Sequence, residues 1–353
     1  MSRLPVAVVG ATGAIGQRFI SLLQDHPMFE LAVLTASERK VGGRLSDFWR
    51  LEGALDPDVG GRELQSLDVK LLERAGVSAA FSGLPADLAR DFETDAARAG
   101  IRVFSNASSH RMEADVPLLV PEVNAEHIAL VERQPTFERG GFIVTNPNCS
   151  VTGLVLALKP LVDAFDFDRV HVATYQALSG AGYPGVPSLD IEGNVLPFID
   201  QEEEKMRREA KKLLGRWSGG IVPSEIEVWA NCARVSVRDG HLEAVSIPLP
   251  EETDPDEVAS ILSSFRGEAQ RLGLPTAPER PVLVHPEANR PQPILDRMAG
   301  EPERARGMAA TVGRIRVTDR VLRFFLLSHN TIRGGAGGNV LNAELAHRRG
   351  YLG

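Results

Sequence analysis

The sequence predicts an α/β chain: an N-terminal doubly wound parallel sheet, then an α+β domain on a mixed, largely antiparallel sheet. Three observations carry this. Short, continuously apolar strands alternate with helical patterns through roughly the first 150 residues, as in a parallel sheet covered on both faces. A glycine-rich turn follows the first strand and opens the first helix. After Cys149 the pattern changes to longer strands, two of them meeting at an Asp319-Arg320 turn.

Val6-Ala7-Val8-Val9 is the first strand, and residues 17–24 carry a helical pattern in Phe19, Ile20, Leu22 and Leu23. Residues 31–36 form a second strand. Residues 37–64, rich in Gly, Pro and charge, read as loop with short helices. A strand ending at Ser82, a helix over 86–99, and strands at 101–106 and 142–144 follow. Residues 151–161 read as a helix with Leu154, Val155 and Leu158 on one face. The second half gives strands at 169–176, 227–237, 241–248, 314–318 and 321–329, and helices at 201–214 and 254–272. Residues 339–349 form a last helix after the glycine cluster at 333–338. The expected domains are 1–148 with 331–353, and 149–330.

At 353 residues the chain can bury two cores, and 43% hydrophobic with 24% charged residues is ordinary for a globular protein. A net charge of -8 argues against nucleic acid as a partner. No apolar run reaches the length of a membrane span, and a strand starting at Val6 leaves no room for a signal peptide. Two cysteines, Cys149 and Cys232, offer neither a disulfide framework nor metal-ligand spacing. The expectation is a cytoplasmic, metal-free protein acting on small molecules.

Gly10, Gly13 and Gly16 are spaced G-x-x-G-x-x-G between a strand and a helix, a variant of the dinucleotide fingerprint of Rossmann-like domains. Glycines let the backbone approach a pyrophosphate, and the helix start supplies N–H groups and a positive dipole. The second strand ends at Ser37-Glu38-Arg39-Lys40. Ser37, Arg39 and Lys40 suit the 2′-phosphate of NADP, whereas Glu38 suits the free ribose of NAD. NADP is the expected cofactor and NAD the alternative. Candidate contacts are Gly10, Thr12, Gly13, Ala14, Ile15, Gly16, Ser37, Arg39, Lys40 and the strand end at Ser82.

Cys149, in Asn146-Pro147-Asn148-Cys149-Ser150, lies between the strand at 142–144 and the following helix. A thiol held there by a tight turn meets the positive end of a helix dipole, which favours the thiolate. A thiolate beside a nicotinamide can form a thiohemiacetal with an aldehyde, lose hydride and become a thioester. Such a cycle needs a base and a holder for substrate charge. Arg234 and His241, seven residues apart around an Arg238-Asp239-Gly240 turn, are the candidates. His241 read alone is more at home as a surface strand residue than as a catalyst.

These residues, taken with Asn106-Ala107-Ser108-Ser109-His110-Arg111-Met112, Pro121-Glu122-Val123-Asn124, Gln176-Ala177-Leu178-Ser179-Gly180-Ala181-Gly182-Tyr183-Pro184, Asn194-Val195-Leu196-Pro197 and Glu202-Glu203-Glu204-Lys205, resemble the aspartate-β-semialdehyde dehydrogenase family, in its archaeal and fungal branch. The resemblance spans nearly the whole chain. It implies NADP-dependent, reversible phosphorylating oxidation of L-aspartate 4-semialdehyde in the biosynthesis of lysine, threonine and methionine. It implies Cys149 as nucleophile, His241 as acid/base and Gln176 as the group orienting the acyl intermediate. Arg234 would hold the α-carboxylate and Glu202 the amino group. Arg111, Asn148 and Lys205 would bind phosphate, and Ser179, Gly180 and Asn339 would line the nicotinamide pocket. It also implies a homodimer or homotetramer formed through the second, catalytic and dimerisation domain. Lys40 and Gly335 depart from the family pattern beside the cofactor. The alternatives are a related acyl reductase, of malonyl-CoA or N-acetylglutamyl-phosphate type, a non-catalytic NADP-binding regulator, and a cysteine hydrolase.

Overall fold

The computed structural model describes residues 3–352. The chain divides into two compact units, one of residues up to 119, 126–146 and 335 onward, the other of 120–125 and 147–334.

In the first unit β1 (Leu4–Val9), β2 (Phe29–Thr35), β3 (Ala79–Ser82), β4 (Arg102–Ser105) and β5 (Phe142–Thr145) form an all-parallel sheet in the order β2-β1-β3-β4-β5. A chain of aromatic contacts crosses it, from Phe29 to Phe81, Phe104 and Phe142, and Phe19 of the helix Ala14–Leu23 joins it at 5.3 Å from Phe81. Ala96 and Ala97 of the helix Ala86–Arg98 cluster with Ala7, Val9, Ala80, Val103 and Ile143 on the opposite face. Helices on both faces make the sheet doubly wound, as expected. The strand order reverses between β1 and β3, which opens a crevice beyond the carboxyl ends of those strands. The helix Gly337–Arg348 returns to this unit, where the Glu344 carboxylate meets His26 Nε2 at 2.9 Å with both side chains fully buried.

The second unit opens with the helix Cys149–Ala164 and β6 (Arg169–Gln176). A small ribbon, β7 (Arg216–Trp217) and β8 (Ile221–Val222), follows the helix Glu202–Leu213. With β9 (Glu227–Arg234), β10 (His241–Pro248), β11 (Val282–His285), β12 (Ala310–Thr318) and β13 (Val321–Ser328), β6 builds a six-stranded sheet in the order β11-β12-β13-β10-β6-β9. Its inner pairings are antiparallel, and the two outermost, β11 with β12 and β6 with β9, are parallel. Burial alternates along β6, so Val170, Val172, Thr174 and Gln176 face inward while His171 and Tyr175 face out. The helices Cys149–Ala164, Glu202–Leu213 and Pro255–Ser264 pack on the sheet.

Several expectations are corrected. The helix expected from Val151 begins at Cys149 and continues past Pro160 to Ala164. The helix expected over 254–272 is broken into Pro255–Ser264 and Glu268–Arg271. Gly267 sits at the break, where a Cβ would lie 2.3 Å from the Glu122 Cα. Residues 120–125, 147–148 and 331–334, expected in the first domain, pack with the second. Both Glu122 oxygens accept from Arg333, at 2.9 and 2.7 Å, in a fully buried ion pair. Such a pair is retained only where both charges keep their partners. β11, a run of four residues, was not anticipated because it is too short to show a period. No helix among the described residues is long and apolar enough to cross a membrane.

Candidate active site

Asn148 caps the helix that Cys149 begins. Its Oδ1 accepts from the backbone N–H groups of Ser150, at 2.9 Å, and Val151, at 3.2 Å. Cys149 is thus the first helical residue, where the dipole acts most strongly on an anion. The rest of Asn148 is also held. Its Nδ2 donates to Glu202 Oε1 at 2.8 Å and its backbone N–H to Glu209 Oε2 at 2.6 Å. Expected at a phosphate, Asn148 spends its carbonyl on the cap and an amide N–H on Glu202.

The half-buried Cys149 places Sγ 3.1 Å from Nε2 of His241, the first residue of β10. The Ala177 backbone N–H donates to His241 Nδ1 at 3.0 Å, and the Ala177 carbonyl accepts from Arg234 Nη1 at 2.8 Å. The backbone of one residue therefore spans the two candidates that the sequence put seven residues apart. Histidine was expected to titrate near neutrality, and here it does not. His241 is fully buried, and burial first, then the charges of Arg234 and His329, push it down to about 3. Its imidazole is neutral.

Gln176 ends β6 opposite Arg234, and its Nε2 donates to Glu202 Oε1 at 3.0 Å. The structure separates the three adjacent glutamates. Glu202 is buried between Asn148 and Gln176, with Lys205 Nζ 3.9 Å from Oε2. Glu203 accepts the Cys232 backbone N–H at 3.1 Å, and Glu204 pairs on the surface with Arg207. Ser179 Oγ accepts from Asn330 Nδ2 at 2.8 Å. A Cβ on Gly180 would lie 3.0 Å from Arg234 Nη1 and 3.4 Å from His241 Nε2, so this turn lies against the pair.

Sequence reading missed four contributors. Asn330 also accepts the Gly240 N–H through Oδ1 at 2.9 Å, so it ties the residue before His241 to Ser179. No local signal marks it. Gly334 lies against Cys149, and it could have been suspected only from its glycine cluster. Ala177 acts through its backbone, which sequence does not distinguish. Glu243 lies in a row that runs Leu326, Glu243, Thr174, Cys232 across β13, β10, β6 and β9. It is fully buried with both oxygens unpartnered, and burial, then Glu202, holds it well above the usual carboxylate range. In the same row burial pushes Cys232 up to about 12, as suits an inert core thiol.

The expected cofactor residues Gly10, Thr12, Gly13, Ala14, Ile15, Gly16, Ser37, Arg39, Lys40, Ser82 and Asn339, with Arg111, belong to the first unit. Gly10 adopts φ +81, and a Cβ on Gly16 would stand 2.1 Å from the Gly10 carbonyl oxygen. The helix start at Ala14 has no side-chain cap, which leaves its N–H groups for a ligand phosphate. Lys40 Nζ donates to Thr12 Oγ1 at 2.9 Å and lies over the Phe48 ring. Ser37 and Arg39 are exposed beside it. The Asn339 Oδ1 is buried without a partner. Arg111 donates to the Asn106 carbonyl at 2.8 Å. A glycine cradle, a bare helix start and a nearby ammonium fit a phosphorylated dinucleotide.

Residues 5–131 match the family model described as semialdehyde dehydrogenase, NAD binding domain, and residues 158–333 match semialdehyde dehydrogenase, dimerisation domain. The chain is 50% identical over 350 residues to an aspartate-semialdehyde dehydrogenase of Methanothermobacter thermautotrophicus, covering 96% of this chain and 98% of that one. It is 38% identical over 356 residues to a malonyl CoA reductase (NADP) of Metallosphaera sedula, covering 99% and 98%. A crystal structure of aspartate semialdehyde dehydrogenase with NADP from Candida albicans superposes with a TM-score of 0.87 at 38% identity, covering 98% of this chain and 99% of the other.

Proposed function

Because the chain belongs to the semialdehyde dehydrogenase family, we propose that it is an NADP-dependent aspartate-semialdehyde dehydrogenase of amino-acid biosynthesis. It interconverts L-aspartate 4-semialdehyde plus phosphate and L-4-aspartyl phosphate. The observation that carries this is Cys149 Sγ at a helix N-terminus, 3.1 Å from His241 Nε2, with Arg234, Gln176 and Glu202 in the same unit.

In the oxidative direction the Cys149 sulfur pair forms a C–S bond to the aldehyde carbon, and the carbonyl π pair moves to oxygen. The oxygen pair then re-forms the carbonyl as hydride leaves this carbon, which gives the thioester; NADP, when bound, would supply the hydride acceptor. A phosphate oxygen then attacks the thioester carbon, and the C–S pair returns to sulfur. Arg234, a planar fork, holds the α-carboxylate. Glu202, pinned by Asn148 and Gln176, meets the ammonium. Lys205 holds the phosphate, and Gln176 orients the acyl group. Purified protein given semialdehyde, phosphate and NADP should raise NADPH absorbance, and Cys149→Ala should abolish the signal. Activity that survives this change would refute the reading.

The likeness to a malonyl CoA reductase favours a second reading, in which the acyl donor is a coenzyme A thioester. The buried Glu202 argues for the first, because a malonyl group has no ammonium to meet it. Comparing NADPH oxidation by aspartyl phosphate and by malonyl-CoA separates them.

The second unit also pairs two copies of the chain. Support comes from the match to a dimerisation domain and from the outward sheet face, where Tyr175 and half-exposed Trp229, the latter packed by Arg169 and His171, reach the surface. Sedimentation should give at least a dimer.

A further inference from the structure

We infer that the buried ion pair of Glu122 and Arg333 positions the Cys149 nucleophile, acting through Gly334. This rests on the reading of Cys149 as the nucleophile. The two charges lie 211 residues apart in sequence, and both side chains are fully buried. Taking two charges out of water costs about as much as their attraction returns, so a packed apolar pair of the same volume would hold the fold as well. Stability therefore does not explain the pair. What it adds over an apolar contact is geometry, because a planar fork on a carboxylate fixes both distance and direction.

That geometry reaches the nucleophile through the next residue. A Cβ on Gly334 would stand 2.7 Å from both Cα and Cβ of Cys149 and 2.9 Å from its carbonyl oxygen. The contact is with the root of the side chain, which sets where the sulfur starts from. The Gly334 N–H donates to the His329 carbonyl at 3.0 Å, and the Ile332 N–H to His329 Nδ1 at 3.3 Å, so residues 329–334 close into one turn. This turn is pinned at both ends. Asn330 ties its start to Gly240 and Ser179, and Arg333 ties its end to Glu122.

Glu122 is itself held. It lies in the short helix Pro121–Asn124, where Asn124 Oδ1 accepts the Val120 N–H at 2.9 Å. Gly267 presses on its backbone, since a Cβ there would stand 2.3 Å from the Glu122 Cα, and the Gly267 N–H donates to Gln270 Oε1 at 2.9 Å. A chain of close contacts thus runs from Gly267 through Glu122, Arg333 and Gly334 to Cys149. Without the fork, Gly334 and the sulfur can drift, and a misplacement of about 1 Å can cost about 10²-fold in rate.

The test is the full chain carrying Glu122→Leu and Arg333→Met together, an apolar pair of similar volume. Its unfolding midpoint should stay within about 5 °C of the wild type. Turnover should lose about 10–100-fold in kcat, with the KM for NADP within about twofold. Iodoacetamide should label Cys149 about tenfold more slowly at neutral pH, because the sulfur is no longer held at the helix start. A folded double variant with wild-type kcat and labelling overturns the inference. Where the double variant fails to fold, Arg333→Lys decides, because it keeps the charge and loses the fork. Slower labelling with kcat down at least about threefold supports the inference, and wild-type values overturn it. Labelling needs no substrate. Slowed labelling in a protein inactive on the semialdehyde would sink the functional reading alone.

Discussion

Gly334 passes so close to Cys149 that a Cβ on the glycine would stand 2.7 Å from both the Cα and the Cβ of the cysteine. Neither atom is the end of a flexible side chain, so the backbone would have to move. Gly334→Ala should cost about 1–3 kcal/mol by overpacking and displace the nucleophile, with kcat falling more than stability accounts for. Thermal unfolding beside NADPH turnover checks this, and wild-type turnover would contradict it.

Asn330 spends both ends of its amide, Oδ1 on the Gly240 N–H and Nδ2 on Ser179. Asn330→Ala should release the turn before His241 and lower kcat by about 10–100-fold, the scale of a misplaced catalytic group. Asn330→Asp keeps the acceptor for Gly240 and loses the donor for Ser179. It should be intermediate in steady-state kinetics, and equal losses would deny the two-ended role.

The two thiols should react differently. Cys232 is 2% exposed and pushed up to about 12, whereas Cys149 is half-buried at a helix start. Iodoacetamide should inactivate the protein by labelling Cys149 alone, as read by peptide mass spectrometry. Cys232→Ser should keep activity within about twofold, because it changes little in volume and touches no reacting group.

His241 gives stability a pH dependence. Its folded value, about 3, lies below the ordinary 6.5, so the unfolded chain binds the proton first. Its contribution is therefore fully present above pH 6.5 and lost as pH falls toward 3. His241→Gln should flatten this part of the curve of unfolding midpoint against pH. An unchanged acid slope would show that the ring is not held neutral.

Lys40 donates to Thr12 in the glycine loop. Lys40→Ala should raise the KM for NADP by about tenfold, the scale of one charge-assisted contact, and leave that for NAD nearly unchanged. A uniform rise for both cofactors would make Lys40 a loop support only.

The parallel sheet was legible because its strands are short, apolar and punctuated by Gly10, Gly13 and Gly16, all local signals. Cys149 was legible as a thiol at a strand–helix junction for the same reason. The break at Gly267 was not, because its cause is the close approach of Glu122, distant in sequence. Nor was the row of Leu326, Glu243, Thr174 and Cys232, which exists only in the register of four strands.

By itself, the sequence determined the types of reactive group and the elements that carry them, because helix starts, strand runs and glycine turns are short-range patterns. Only the tertiary structure decided what those groups are chemically. His241 has an ordinary side chain, yet burial and a peptide N–H from Ala177 make it a neutral ring with a fixed face. Glu202, Glu203 and Glu204 are identical in sequence and adjacent, yet helix rotation gives them three different partners. Desolvation and hydrogen-bond direction depend on which chain segments come to lie within about 3 Å of one another, and long-range folding alone settles that.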